Sequence, residues 1–195
     1  MEEIRKRWEI AQVEERKAHT NNYEDGIQHY EGAYTQYFGH LQCGFYLRGK
    51  TIMEIGCADF AALGYCSGLG AGHIIEPLPS WMLKKQIEGK PITIYKKPAE
   101  EMEVIPVDEV WLFNVYQHVL DPYKIFEYAK KCGKVVRFFE PIDLPLDVCH
   151  LHSLSLEDFR GVFGDCVKLY KSKPDVKNFH AADCAYGVWK NPESL

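Results

Sequence analysis

Short apolar segments recur along the middle of the chain, each separated from the next by turn or helix signals. No other feature restricts the fold as much. Residues 51–55, 73–75, 91–95, 107–115 and 134–139 are rich in Ile, Val, Phe and Tyr and have strand length. Between them the sequence predicts a helix over 59–67 capped by Asp59, broken at Gly70–Gly72. A second is predicted over 77–88, opened by Pro77 and Pro79, and a third over 121–131, opened by Asp121-Pro122 and stopped by Gly133. A further helix starts at Ser155, with Asp158 at the capping-box position. Strands at 167–170 and 185–189 follow with no apparent helix between them, which suggests an antiparallel hairpin at one edge. Apolar strands alternating with helices form a mostly parallel sheet covered on both faces. The expected fold is therefore a three-layer α/β/α sandwich with a seven-stranded sheet.

Two helices are expected ahead of this core. Residues 2–18 are weakly amphipathic, with Ile4, Trp8 and Ala11 on one side, and residues 19–25 read as a polar loop. Residues 26–42 carry Tyr30, Tyr34, Tyr37, Phe38 and Leu41 at helical spacing. Such a stripe most simply packs on a core, and alternatively covers a pocket. A length of 195 residues suits one domain over 1–195. Within it, 1–45 form an N-terminal helical lid and 50–195 the α/β core.

A net charge of −5, with no basic stripe, disfavours a nucleic-acid partner. No run of about 18 apolar residues occurs, so no membrane span is expected. The N-terminus is charged and unlike a signal peptide. The seven cysteines are odd in number and lie partly in apolar runs, so they are expected to be reduced thiols of a cytoplasmic protein. No CxxC pair exists. The cluster Cys149-His150-Leu151-His152 lacks a second ligand pair, so no metal site is expected.

In an open α/β sheet the ligand lies at the carboxyl ends of the strands, near the point where strand order reverses. After the first strand comes Glu54-Ile55-Gly56-Cys57-Ala58-Asp59-Phe60. A glycine there lets backbone approach a ligand closely. Glu76, after the second strand, lies about 20 residues beyond that turn, where an acid can accept from two ribose hydroxyls. Glu100 follows the third strand, Asn114 the fourth and Glu140 the fifth.

These segments, in this order, resemble the class I S-adenosylmethionine-dependent methyltransferases, over about residues 50–165. That family opens its cofactor site with acid-x-Gly-x-Gly-x-Gly. Glu54 and Gly56 match, while Ala58 and Phe60 replace the second and third glycines. Alanine at 58 is tolerable there provided its φ is negative. The resemblance gives Glu76 the ribose, with Pro77 beginning the usual continuation. It gives Ala99 and Glu100 the adenine edge and Asn114 the fourth-strand motif. It implies a Rossmann-like fold, S-adenosylmethionine as cofactor and transfer of its methyl group. Asn114 is followed by Val-Tyr-Gln rather than Pro-Pro-aromatic, which argues against base methylation and for a small-molecule methyl acceptor.

The candidate proton acceptors are His118 and His152, because histidine titrates near neutrality. Tyr34, Tyr116 and His150 are candidate acceptor contacts, the last in the loop over 141–153. Two alternatives stay open. One is a catalytically silent cofactor-binding or interaction domain, motivated by Ala58 and Phe60. The other is a nicotinamide-dependent oxidoreductase, although Ala58 and Ala61 stand where its glycines would. A homodimer is compatible with everything above.

Overall fold

The apolar run of residues 107–113 forms the central strand of a seven-stranded sheet. The computed structural model describes residues 2–18, 22–172 and 182–194. Helices α1 (Glu2–Ala18) and α2 (Tyr23–Leu41) precede strand β1 (Thr51–Ile55). Then come β2 (Ala71–Ile75), α3 (Trp81–Gln86), β3 (Ile92–Tyr95), β4 (Val107–Phe113), α4 (Pro122–Cys132) and β5 (Gly133–Pro141). The chain closes with α5 (Leu156–Phe163), β6 (Lys168–Tyr170) and β7 (Cys184–Lys190).

The strand order is β3-β2-β1-β4-β5-β7-β6. All pairings from β3 to β5 are parallel, and β7 runs antiparallel to both β5 and β6. The expected three layers and hairpin edge are present. The chain lays down β1, β2 and β3 in one direction and then returns to place β4 on the other side of β1. That reversal opens a crevice at the carboxyl ends of β1 and β4.

Side chains alternate between two cores, as a pleated strand requires. On one face Met53, Ile55, Val110, Leu112 and Phe138 meet Phe126 of α4 and Phe159 of α5. On the other, Ile52, Ile74, Trp111 and Phe113 meet Phe38 and Leu41 of α2 and Leu83 of α3. The aromatic stripe of α2 thus packs on the core, and its Tyr30, Tyr34 and Tyr37 also line a cavity. At the far end of the sheet from the crevice, Glu109 receives Arg137 at 2.7 Å, Lys50 at 2.5 Å and the Trp111 indole at 3.1 Å. Burial pushes its carboxyl up, but these donors outweigh it and hold it down to about 2.

Several local expectations need correction. The helix predicted over 59–67 is only a short turn, Ala62–Tyr65, with no side-chain cap, so Asp59 does not cap it. The Glu54 carboxylate instead accepts from the N–H groups of Ala62 and Leu63, and the Gln86 amide pairs with both backbone groups of Ala61. These two side chains, rather than Asp59, satisfy the backbone donors at the start of the turn. Ala71 and Gly72 belong to β2 rather than to a break, and α3 starts after Ser80, whose hydroxyl accepts from Leu83 N–H. Helix α2 begins at Tyr23, capped by Asn22, inside the segment expected to be loop; residues 19–21 lie outside the described residues. Ile4 is exposed, whereas Trp8 and Ala11 are buried. The Asp121 cap of α4 and the Ser155–Asp158 capping box are formed as expected.

Candidate functional site

A cavity of about 570 Å³ occupies the crevice. Its floor is made by the turns after β1, β2 and β4, and its roof by α1 and α2. Register puts the floor together: Ile55 pairs with Ile75 and with Leu112, so the next residues of three strands emerge side by side.

Gly56 begins the turn after β1 with φ +64, and a Cβ on it would fall 2.2 Å from Val115 Cγ2. Only glycine fits this backbone in this place. Ala58 has φ +49. The negative φ that would make alanine comfortable is therefore not adopted. This is a left-handed conformation, costing an alanine roughly 1–2 kcal/mol. The strain is held by Glu76, whose Oε2 accepts from Cys57 N–H at 3.2 Å and Ala58 N–H at 3.1 Å. Its Oε1 accepts from Leu78 N–H at 3.0 Å. Glu76 thus ties the turn after β2 to the turn after β1. Burial pushes its carboxyl up, opposed by the same backbone donors.

Asn114 follows β4 with φ +58, a conformation asparagine tolerates better than most residues. Its Oδ1 accepts from Gln117 Nε2 at 2.5 Å. Behind it Glu140 is fully buried and accepts from Val115 N–H at 2.8 Å. Burial pushes this carboxyl up to about 8, against the Val115 and Tyr116 N–H groups. Glu100 accepts from Leu120 and Asp121 N–H groups and joins the turn after β3 to the start of α4.

Among the residues singled out from sequence, Gly56, Ala58, Glu76 and Pro77 line the cavity, as do Ala99, Glu100 and Asn114. Tyr34, His118 and His150 line it as well. The Tyr34 hydroxyl donates to the Phe60 carbonyl at 2.7 Å, which leaves its ring as a wall. Phe60 is buried against Tyr23 and Tyr30 and does not plug the crevice. Three candidates lie outside the lining. Glu54 is turned to the backbone of Ala62 and Leu63. Tyr116 is in the core against Phe159, its hydroxyl accepting from Leu154 N–H. His152 Nε2 lies 2.9 Å from the Val119 carbonyl.

Sequence reasoning did not single out Gln12, Glu15, Arg16 or Asp147, which also line the cavity, and it read Asp59 only as a helix cap and Cys149 only as part of a cluster too sparse to hold a metal. Trp8 was seen only as one side of a weak helix. The signal for the α1 residues is their spacing: 8, 12 and 15 share one helical face. Trp8 Nε1 and Gln12 Nε2 donate to the His118 carbonyl, and Arg16 donates to the Leu78 carbonyl. Arg5 pairs with Glu101 at 2.6 Å. Helix α1 is thereby strapped across the turns after β2, β3 and β4. Among the described residues no group of three or more His, Cys, Asp or Glu is placed to hold a metal, and no helix is long and apolar enough to cross a membrane.

No model of a known protein family matches the chain, and the search of curated proteins gives no match. Solved structures do resemble it. The N-methyltransferase NodS from Bradyrhizobium japonicum WM9, in complex with S-adenosyl-L-homocysteine, is similar at a TM-score of 0.60 and 13% identity, over 83% of this chain and 87% of that one. The 1,6-didemethyltoxoflavin-N1-methyltransferase of Burkholderia thailandensis, with bound 1,6-didemethyltoxoflavin and S-adenosylhomocysteine, is similar at 0.56 and 11% identity, over 87% and 83%. The fold is the Rossmann-like fold of these methyltransferases.

Proposed function

We propose that the chain is an S-adenosylmethionine-dependent methyltransferase acting on a small-molecule acceptor. The observation that carries this reading is the closure of Glu76 onto the turn Gly56–Ala58, at the floor of a cavity placed where strand order reverses.

The residues fit the cofactor in three respects. The cavity is within the range of roughly 300–1,000 Å³ usual for ligand sites. An ionised carboxylate offers about four acceptor positions. Glu76 has three backbone donors, so capacity remains for a ribose hydroxyl. The lining carries Glu15, Asp59, Glu76, Glu100 and Asp147 against Arg16. This balance suits a ligand bearing a positive sulfonium.

When bound, S-adenosylmethionine supplies an electrophilic methyl group, so alignment is most of the catalysis. The chain's own residues then have distinct tasks. Glu76 holds the sugar and the turn beneath it. Pro77, Ala99 and Glu100 form the side toward the adenine, and Asn114 lies beside the acceptor's path. Trp8, Tyr30, Tyr34 and Tyr37 wall the acceptor side with rings and exclude water. His118, on the same wall, takes the proton of an acceptor that must lose one.

Calorimetric titration with S-adenosylhomocysteine tests the reading, followed by transfer of labelled methyl from S-adenosylmethionine to a panel of small amines and phenols. Saturable binding with turnover is expected, and NADH should leave the melting temperature unchanged. Binding without turnover would identify a silent domain. Stabilisation by NADH with no affinity for S-adenosylhomocysteine would overturn the reading.

A further inference from the structure

Three side chains of α1 converge on residue 118. Trp8 Nε1 lies 2.8 Å and Gln12 Nε2 3.3 Å from its carbonyl, and Glu15 Oε2 lies 3.2 Å from its Nδ1. The same Nδ1 is 3.2 Å from the carbonyl of Cys149. The Glu15 carboxylate and the Cys149 carbonyl are both acceptors. The neutral ring therefore carries its hydrogen on Nδ1 and its lone pair on Nε2.

We propose that Glu15 is a positioning residue for His118, and that docking of α1 over the crevice assembles the proton acceptor of the site. This rests on the methyltransferase reading above. The acceptor is then a molecule whose nucleophilic oxygen or nitrogen carries a proton. As that atom forms its bond to the methyl carbon, the bond from carbon to sulfur breaks and its electron pair goes to sulfur. The acceptor's proton passes to Nε2 of His118. The imidazolium so formed faces the Glu15 carboxylate, which compensates its charge. The proton is later released to water, restoring the neutral ring.

The geometry separates Glu15 from its neighbours on the helix. Arg16 is directed to the Leu78 carbonyl and Glu14 to Lys17. Glu9 lies beside Arg5 on the exposed side. Among the described residues, further titratable groups near the His118 ring belong to the loop after β5. They are Cys149, His150, whose ring centroid is 5.2 Å away, and Asp147, which is 3.0 Å from His150 Nδ1. Asp147 also accepts from the Cys149 and His150 N–H groups, so its charge is directed to its own loop. Glu15 is the carboxylate in contact with Nδ1. Placing this residue on α1, rather than on the sheet, makes lid and base one assembly.

The test compares the full-length wild type with Glu15→Gln and, as a control, Glu9→Gln. The imidazole of His118 is titrated by NMR, the rate is followed against pH, and S-adenosylhomocysteine affinity is measured by calorimetry. Glu15→Gln should move the NMR midpoint of His118 and the acid limb of the rate to lower pH. It should cut kcat about tenfold and leave S-adenosylhomocysteine affinity within about twofold. Glu9→Gln should change none of these. An unmoved His118 midpoint, an equal movement in Glu9→Gln, or a rate loss matched by lost affinity overturns the assignment of Glu15 alone. Absence of S-adenosylmethionine binding by the wild type overturns the function reading and this proposal together, and the NMR midpoints distinguish the two failures.

Discussion

The backbone nitrogen of Ala58 lies 3.1 Å from Oε2 of Glu76, across a sequence separation of 18 residues. One carboxylate therefore holds a strained alanine in place while offering its remaining acceptor capacity to the cavity. On the proposed reading, local strain and ligand recognition share a single side chain.

Replacing Glu76 tests both tasks. Glu76→Ala removes the acceptor of three backbone N–H groups. An unpaired buried donor costs about 1–3 kcal/mol. The variant should show at least a tenfold loss of S-adenosylhomocysteine affinity together with a lower melting temperature. Full affinity in a folded Glu76→Ala protein would remove the ribose from this site.

Ala58 has φ +49. Ala58→Gly should relieve the left-handed strain and stabilise the protein by up to about 1 kcal/mol, part of the gain being offset by glycine's backbone entropy. Ala58→Val should destabilise it, since β-branched residues tolerate positive φ least. Urea unfolding of the two variants measures the difference, and equal midpoints would contradict the strained turn.

Glu109 and Arg137 form an ion pair at 2.7 Å with side-chain exposures of 3% and 15%. Arg137 Nη1 also donates to the Leu41 carbonyl at the end of α2. Glu109→Gln leaves the guanidinium largely buried without its counter-charge, and a loss of about 3–5 kcal/mol is expected. Thermal unfolding reports it. Glu109 is held down to about 2. Its contribution is therefore present above its ordinary range and is lost as pH falls through about 2.

Glu140 behaves in the opposite sense. Its folded value, about 8, lies above the ordinary 4.5, and its Oε1 is buried without a hydrogen-bond partner among the described residues. The stability from the protonated form is full below the ordinary value and is lost as pH rises through about 8. Burial likewise raises Glu54, to about 7, which adds to the same trend. Unfolding free energy should decline between about pH 5 and pH 8.5, and less steeply in Glu140→Gln. Parallel slopes for the two proteins would show that Glu140 is ionised in the folded state.

The elements that position the site were legible in the sequence because their signals are local. Asp121-Pro122 and Ser155–Asp158 carry their helix caps within four residues. Strands β1 and β4 are bounded by turn residues, and the spacing of Gly56 and Glu76 follows from one strand–turn–strand unit. What was not legible depends on distant partners. In place of the helix expected over 59–67 there is a short turn whose first donors are satisfied by Glu54 and by Gln86, the latter 25 residues away from Ala61. Glu54 looked like a cavity acid because its place in the motif says nothing about where its carboxylate points. The inward face of α1 is weakly apolar, and its partner, residue 118, is 110 residues from Trp8. The spacing of residues 8, 12 and 15 marks the face of α1 but does not name its partner.

Strand β7 lies between β5 and β6, and it pairs with β5 along residues 135–141. Before residues 184–190 leave the ribosome, β5 offers a bare row of backbone donors and acceptors to solvent or to any neighbouring chain. Vectorial synthesis thus completes the right half of this sheet last. The nascent protein carries that margin while residues 142–183 are being made, and its yield will depend on how well the margin is shielded in the meantime.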